Sequence, residues 1–191
     1  MAELLVVVPT YNERESLAGV IARIRAAVPA EHILIVDDSS PDGTGEIADA
    51  LTDDHVSVLH RAGKDGLGRA YLAGFAHAIV GGYRYVAEID ADGSHDPAEL
   101  PAMLALATEG ADLVIGSRWT PGGAVANWPW YREWLSRAAN AYARVALRIP
   151  VRDSTAGYRA FRASALREID LAHVESRGYC FQIDMTVRVV D

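Results

Sequence analysis

The sequence lacks the residues that several common protein classes require. Its single cysteine, Cys180, excludes a disulfide within the chain and a cysteine zinc site. Its 18 Lys and Arg are outnumbered by 26 Asp and Glu, and the net charge of −8 disfavours a general nucleic-acid-binding protein, which needs a basic face. The N-terminus has no basic segment before its short apolar run, so we expect no signal peptide. No stretch approaches the roughly 18–20 apolar residues that span a bilayer.

The residues that are present favour one folded domain. Half of the 191 residues are hydrophobic, and a chain of this length buries roughly 70% of its unfolded surface. Apolar runs typical of buried strands alternate with helical patterns, which predicts a mostly parallel α/β sheet with helices on both faces, in one domain covering residues 1–191. The predicted strands are 4–8, 33–37, 56–60, 85–90 and 112–116. The predicted helices are 17–28, 44–51, 69–80, 96–108 and 130–147, with a loop over 118–125 and a mixed tail that contains 156–161.

Polar clusters follow four of the five predicted strands, in residues 9–13, 37–38, 90–92 and 116–118. Ligands of open parallel sheets bind outside the carboxyl ends of the strands, so these clusters predict one site. Asp90 and Asp92 stand two residues apart beyond a buried strand and can present carboxylates to one hard divalent cation, Mg²⁺ or Mn²⁺. His95 follows closely, but Asp96, Pro97 and Glu99 form a helix-capping pattern that accounts for this stretch structurally.

A pair of glycines, Gly66 and Gly68, resembles half of a dinucleotide-binding fingerprint. The third glycine is missing, and the pair follows the third strand instead of the first. A dinucleotide-dependent dehydrogenase is therefore unfavoured. We expect a tight turn that opens a helix.

The segment 118–152 reverses the charge of the chain. It holds six arginines and one glutamate, a balance of +5 that leaves −13 for the remainder, and all four tryptophans lie in or beside it. Arg137, Arg144 and Arg148 share one helical face, beside an apolar stripe formed by Trp134, Ala138, Ala141 and Val145. Two interpretations stay open: a surface that meets anionic lipid head groups, or an amphipathic helix packed on the core with solvated arginines. Arg132 and Ser136, four residues apart, could hold one phosphate together.

Seven stretches in order resemble the family-two glycosyltransferases of the GT-A (Rossmann-like) fold, in particular the polyprenol-phosphate mannosyltransferases. They are 9–13, 36–44, 64–71, 90–97, 116–118, 153–159 and 178–182. Each stretch alone is weak evidence, whereas the ordered set covers nearly the whole chain.

The resemblance implies a role for each matching residue. The pocket for the base and ribose of the nucleotide would be lined by Pro9, Tyr11, Glu13, Val36 and Asp38. Asp90 and Asp92 would hold the metal on the donor diphosphate, with Ser94 near the metal, Ala91 at the nucleotide and Gln182 near the sugar. The phosphate of the acceptor would be received by Arg118, Arg132 and Ser136, so that Asp92, Arg118 and Arg132 carry the catalysis.

Two departures from the family pattern stand out. Gly93 replaces the leucine usual after the Asp-X-Asp motif, which loosens a wall of the site but removes no ligand. The resemblance also implies a further strand and a basic motif that close over the phosphates beyond Asp191, so we expect the chain to be part of a longer protein.

The resemblance implies an inverting transfer of a sugar, mannose from GDP-mannose, onto a polyprenyl or dolichyl phosphate. The implied cofactor is Mg²⁺ or Mn²⁺. The implied location is the cytoplasmic face of a membrane, to which the protein would bind peripherally, and no nucleic-acid partner is implied. Three alternatives stay open: another donor such as UDP-glucose, a sugar nucleotidyltransferase, and a non-catalytic module that binds nucleotide sugars. The nucleotidyltransferase is disfavoured because residues 9–13 offer no glycine-rich, basic loop.

Overall fold

A six-stranded sheet forms the centre of the protein, which we describe from a computed structural model over residues 2–119, 130–176 and 178–190. The strands are β1 (Leu4–Thr10), β2 (His32–Asp37), β3 (Val56–His60), β4 (Tyr85–Glu88), β5 (Leu113–Ile115) and β6 (Arg159–Arg162). Their order across the sheet is β3-β2-β1-β4-β6-β5. β1 to β4 are parallel, and β6 runs antiparallel to both β4 and β5. The predicted α/β fold with a mostly parallel sheet is confirmed.

Helices cover both faces of the sheet. They are α1 (Leu17–Ala27), α2 (Thr44–Ala50), α3 (Leu67–Val80), α4 (Leu100–Thr108), α5 (Trp130–Ala146), α6 (Ala163–Glu168) and α7 (Tyr179–Val190), with 3₁₀ turns at Pro97–Glu99 and Leu171–His173. Alternate residues of β1 point to opposite faces, so Val6 and Val8 pack with α1 and α4 while Leu5 and Val7 pack with α3 and α6. The strand is therefore apolar on both sides, as its sequence indicates.

The sixth strand was not predicted and corrects the expected five-stranded sheet. β6 lies in the stretch 156–161 and beyond, which the sequence shows only as a mixed tail, and it inserts between β4 and β5. It is four residues long and begins with an arginine. Arg159 pairs in register with Glu88 on one side and Ile115 on the other. This short segment, which has an arginine at each end, is a strand because it pairs with two neighbouring strands, and such pairing is a tertiary effect.

The glycine pair opens α3, as predicted. Gly66 has a φ of +90°, a conformation that side chains rarely adopt, and precedes the first residue of the helix. A Cβ on Gly68 would lie 2.8 Å from Cδ2 of Phe181 on α7. These glycines thus serve a turn and a close helix contact.

The capping pattern at Asp96 is also confirmed. The backbone N–H of Ala98 donates to Oδ1 of Asp96 at 3.2 Å, and Pro97 occupies the first turn. This turn is 3₁₀ and continues as α4. The short strand β4 ends at Glu88, two residues before the predicted end, so that Asp90 lies in the loop.

His60, at the end of β3, gives the fold a testable pH dependence. Its imidazole contacts Asp49 at 2.9 Å and lies 3.6 Å from Oδ2 of the buried Asp37. The hydrogen bond with Asp49 raises the pKa of His60 above its ordinary value. A raised pKa stabilises the fold below the unfolded value of about 6.5, and this contribution disappears as the pH rises through the folded value.

We therefore expect His60→Ala to lower the free energy of unfolding more at pH 6 than at pH 8.5, by less than about 1 kcal/mol because the ring is half exposed. Urea unfolding at both pH values measures the difference. His77→Ala, an exposed histidine of α3, serves as the control. An equal loss at both pH values would contradict this role for the imidazole.

Candidate active site

A cavity of about 230 Å³ lies at the carboxyl ends of the parallel strands. Seven of the residues predicted to bind the donor line it: Pro9, Tyr11, Glu13, Asp38, Asp90, Ala91 and Asp92. They come from the ends of β1, β2 and β4, which are neighbours in the sheet. The parallel topology therefore assembles residues that are separated by up to 83 positions in the chain.

Asp90 is held by two aromatic neighbours. The hydroxyl of Tyr71 donates to Oδ1 of Asp90 at 2.7 Å, and Nε2 of His95 lies 3.6 Å from Oδ2. Burial opposes ionisation of Asp90, but His95 and Tyr71 more than offset it, so its pKa lies below the ordinary value. His95 therefore stands beside the charge of Asp90, a contact that the capping interpretation did not anticipate.

Asp92 stands in the exposed part of the same loop. Its Oδ1 accepts a hydrogen bond from the backbone N–H of Ser94 at 2.9 Å. Ser94 itself is exposed and does not line the cavity. Its role near a metal stays a prediction.

The donor set of this loop fits a hard divalent cation. Asp90 and Asp92 present carboxylates to one cavity, and Mg²⁺ commonly binds one or two carboxylates together with water and substrate phosphates. Within the three described ranges, no cluster of three or more His, Cys, Asp or Glu side chains could hold a metal by itself. The remaining ligands would therefore be water and phosphate oxygens.

The opposite end of the cavity carries charged groups that are already paired. Asp38 is buried, and Nη1 of Arg61 donates to its Oδ1 at 2.6 Å. Oε2 of Glu13 accepts from the hydroxyl of Ser16 at 2.7 Å. These contacts fix the two carboxylates before any ligand binds.

Lys64 is a lining residue to which the sequence analysis assigned no role. It follows β3, and its Nζ lies 3.8 Å from the centre of the Tyr11 ring, as a cation–π contact. Its position in a glycine-containing loop after a parallel strand was the available signal. Lys64 places a positive charge beside the carboxylates of the cavity.

Val36 and Gln182 are predicted donor residues that do not line the cavity. Val36 is fully buried in the core, in register with Pro9. Gln182 is buried on α7, and its Nε2 donates to Oε2 of Glu88 at 3.0 Å. Burial raises the pKa of Glu88 to about 8, against the opposing effect of Arg159. Gln182 thus anchors α7 to β4 beneath the site, and its role near the sugar stays a prediction.

Arg118 is fixed by a buried carboxylate that sequence reasoning missed. Its Nε donates to Oδ2 of Asp153 at 2.9 Å and its Nη2 to Oδ1 at 2.7 Å. Burial of Asp153 opposes its ionisation, but Arg118 more than offsets this and lowers the pKa of the carboxyl. Asp153 lies in the stretch 153–159 that carries the family resemblance. The two-point contact orients the guanidinium of Arg118.

The same loop holds α5 through Asn140. The side-chain oxygen of this buried residue accepts from the backbone N–H of Ser154 at 2.8 Å, and its Nδ2 donates to the backbone oxygen of Ser136 at 3.0 Å. Ser136 is half-buried. Arg132 lies in the first turn of α5, and its side chain is outside the described residues. The predicted pairing of Arg132 with Ser136 stays a prediction.

The apolar stripe of α5 is exposed, so the interpretation of α5 as a helix packed on the core is wrong. Trp134 is 67% exposed and Val145 is 74% exposed, and Ala138 and Ala141 are also on the surface. Within the described part of α5, only Asn140 and Ala143 are buried. The face that meets the domain is therefore narrow and partly polar.

The predicted arginine face needs one correction. α5 ends at Ala146, and Arg148 follows with a φ of +55°, so it does not continue the helical face of Arg137 and Arg144. Among the residues with described structure, no helix has the length and hydrophobicity to cross a bilayer.

Solved structures with the same architecture are glycosyltransferases. Glucosyl-3-phosphoglycerate synthase from Mycobacterium tuberculosis, in complex with UDP, aligns with a TM-score of 0.70 at 22% identity, over 96% of this chain and 64% of that one. The complex of the same protein with Mn²⁺, UDP-glucose and phosphoglyceric acid aligns with a TM-score of 0.70 at 22% identity, over 96% and 63%. The fold is therefore that of the GT-A glycosyltransferases.

The sequence assigns the family within this class. The profile of glycosyl transferase family 2 matches residues 5–170. A polyprenol monophosphomannose synthase from Mycolicibacterium smegmatis is 55% identical over 98% of this chain and 72% of its own length. An undecaprenyl-phosphate mannosyltransferase from Micrococcus luteus is 54% identical over 97% and 76%. The chain belongs to glycosyl transferase family 2, which confirms the resemblance. The protein is therefore a glycosyltransferase, and not a nucleotidyltransferase or a non-catalytic module.

Proposed function

We propose that the protein transfers mannose from GDP-mannose to the phosphate of a polyprenyl phosphate, with inversion at the anomeric carbon. The observation that carries the proposal is the cavity in which the Asp90–Asp92 loop faces Tyr11 and Asp38. One end suits a diphosphate with its metal and the other a nucleoside. Two relatives above 50% identity are named as enzymes that act with mannose on polyprenyl phosphates, which supports this choice of donor and acceptor.

The mechanism needs no protein base. A phosphate monoester has a second pKa of about 6, so the acceptor is largely dianionic at neutral pH. One of its oxygens forms the bond to the anomeric carbon, while the bond to the leaving GDP oxygen breaks on the opposite face. The cation, when bound, would supply charge neutralisation for the departing diphosphate.

The residues of the chain orient the reactants. Asp90, positioned by Tyr71 and His95, and Asp92 would hold the cation. Arg118, oriented by Asp153, would align the acceptor phosphate and reduce the repulsion between two anions. We also assign Lys64 to the donor diphosphate, because it is a flexible cation at the same cavity.

We further propose that the protein associates with the cytoplasmic face of a membrane through α5. The exposed Trp134, Tyr142 and Val145 would enter the interface, and the arginines would face anionic lipid head groups. Such a peripheral position would bring the lipid acceptor to the cavity.

Turnover with a radiolabelled donor tests the proposed reaction. GDP-[¹⁴C]mannose, a detergent-dispersed polyprenyl phosphate and Mn²⁺ are expected to give label in the organic phase. UDP-[¹⁴C]glucose serves as the competing donor. Faster lipid labelling from UDP-glucose, or none from either donor, would overturn the assignment of the substrate.

Arg132→Lys tests the acceptor side of the site. The planar guanidinium can bind a phosphate through two hydrogen bonds, which the ammonium of lysine cannot reproduce. We expect the KM for polyprenyl phosphate to rise about tenfold while the Kd for GDP-mannose stays unchanged, because one charged hydrogen bond contributes about 1.5–3 kcal/mol.

Kinetics and calorimetry on the same preparation measure the two constants. Arg167→Lys, an exposed position on α6, is the matched control and should change neither. An equal loss of donor and acceptor binding would move Arg132 out of the acceptor site.

A further inference from the structure

A second cavity, of about 180 Å³, lies beside α5 and is lined largely by arginines. Its lining residues are Trp119, Arg137, Asn140, Ala141, Arg144 and Arg152. Arg137, Ala141 and Arg144 recur at spacings of four and three residues, which places them on one face of the helix. Arg152 approaches from the chain that follows α5. Three guanidinium groups thus converge on one concavity.

The positive charge of this cavity is mostly uncompensated. Arg137 donates to Oε1 of Glu133 through Nε at 3.0 Å and Nη2 at 2.9 Å, and lies 4.3 Å from the centre of the Trp119 ring. Arg144 and Arg152 make no ion pair or hydrogen bond through their side chains with the described part of the chain. Like charges gathered at a concave surface raise the local concentration of anions.

The arginine cavity adjoins the site proposed for the acceptor phosphate, with the Trp119 ring between Arg118 and Arg137, but shares no lining residue with it. Arg118 and Ser136 do not line it. The two sites are divided by buried Asn140, whose amide contacts Ser136 and Thr155, and by Asp153, which holds Arg118. The polar groups of this partition are satisfied within the protein. Within the described residues, the donors of this cavity that have no partner are those of Arg144 and Arg152 and the indole N–H of Trp119.

We propose that Arg144 and Arg152, assisted by Arg137, bind the phosphate of an anionic phospholipid head group. Guanidinium groups bind phosphate through two hydrogen bonds at once. Val145, next to Arg144 in the chain, is 74% exposed, and a bilayer offers apolar chains beside its phosphates. A free phosphate would leave this apolar surface uncovered. The inference rests on the proposed membrane association and gives it a specific lipid contact.

Substitution by lysine separates a phosphate site from diffuse attraction. Arg144→Lys/Arg152→Lys keeps the net charge, so long-range attraction to the membrane is preserved while the two-point contact is lost. We expect the partition coefficient into mixed phosphatidylglycerol and phosphatidylcholine vesicles to fall about tenfold, because the ammonium of lysine cannot reproduce the two-point contact of a guanidinium with a phosphate. Arg148→Lys, at an exposed arginine outside the cavity, should bind like the wild type.

Co-sedimentation with vesicles provides the measurement. An unchanged double variant, or an equal loss for Arg148→Lys, would overturn the proposal. A third result would also overturn it: inorganic phosphate stabilises the wild type but not the double variant, while both proteins bind vesicles equally well. The cavity would then serve a free anion. Mannosyl transfer to a detergent-dispersed acceptor is assayed in parallel and should be unaffected by the substitutions. The wild type could bind vesicles more tightly than the double variant, as expected, and yet transfer no mannose. This result would support the lipid site and contradict only the proposed reaction.

Discussion

Replacing Asp92 with asparagine should lower the rate of sugar transfer by at least about 100-fold, more than the 10–100-fold typical of losing a partner of a metal ligand. The substitution removes an anionic ligand of a hard cation but keeps an oxygen at the same position. That oxygen can still accept the hydrogen bond from the backbone N–H of Ser94, and the side chain is exposed. The fold should therefore be retained while the affinity for the donor with Mn²⁺ falls sharply.

Calorimetric titration of GDP-mannose, with and without Mn²⁺, measures the donor side of this prediction, and thermal unfolding checks the fold. Asp96→Asn is a matched control a few residues away. Its side-chain oxygen can still cap Ala98, and it lies outside the cavity. Near wild-type transfer by Asp92→Asn would show that this carboxylate does not bind the metal.

The second large effect is expected for stability, at Arg159. This arginine is fully buried on β6 and donates to three backbone carbonyls, those of Ala156, Gln182 and Ser154, at 2.7–2.8 Å. It also donates to the hydroxyl of Thr186 at 2.9 Å. One side chain thus connects β6, α7 and the loop that orients Arg118.

Arg159→Met should lower the free energy of unfolding by about 3–5 kcal/mol, the range for removing one partner of a buried charged network. The methionine fills much of the volume but removes the Arg159 donor from the carbonyls of Ser154 and Ala156. The carbonyl of Gln182 keeps the hydrogen bond from the hydroxyl of Thr186, and Glu88 loses a neighbouring positive charge. A domain of this size loses roughly 2–4 °C of Tm per kcal/mol, so we expect a decrease of about 6–20 °C.

Denaturant unfolding of two further variants makes this prediction specific. Arg162→Met removes an arginine of the same strand whose side chain is 32% exposed, and it should cost about 1 kcal/mol or less. Arg159→Lys keeps a charge beside Glu88 and should fall between the two. Equal losses for Arg159→Met and Arg162→Met would show that the buried network adds no stability.

The sequence by itself determined the alternation of strands and helices and the edge of the sheet at which the cavity lies. Apolar runs such as 4–8 and 33–37 can only be buried on both faces, which requires a parallel sheet with helices on either side. The carboxyl ends of such strands meet at one edge, so Asp38, Asp90 and Asp92 could be grouped without coordinates. The identity of these residues, in the order in which they occur, also pointed to the family.

Only the tertiary structure decided how the site is supported. β6 is a strand because β4 and β5 flank it, and Arg159 is buried there because three carbonyls from two separate stretches of the chain accept its hydrogen bonds. The contacts of Asp153 with Arg118, of Tyr71 with Asp90 and of Lys64 with Tyr11 join residues 19 to 53 positions apart. The hydrophobic periodicity of the sequence shows which face of a helix or strand is apolar, but not which part of the protein covers that face. The exposure of α5 and the convergence of its arginines with Arg152 therefore became visible only once the chain was folded.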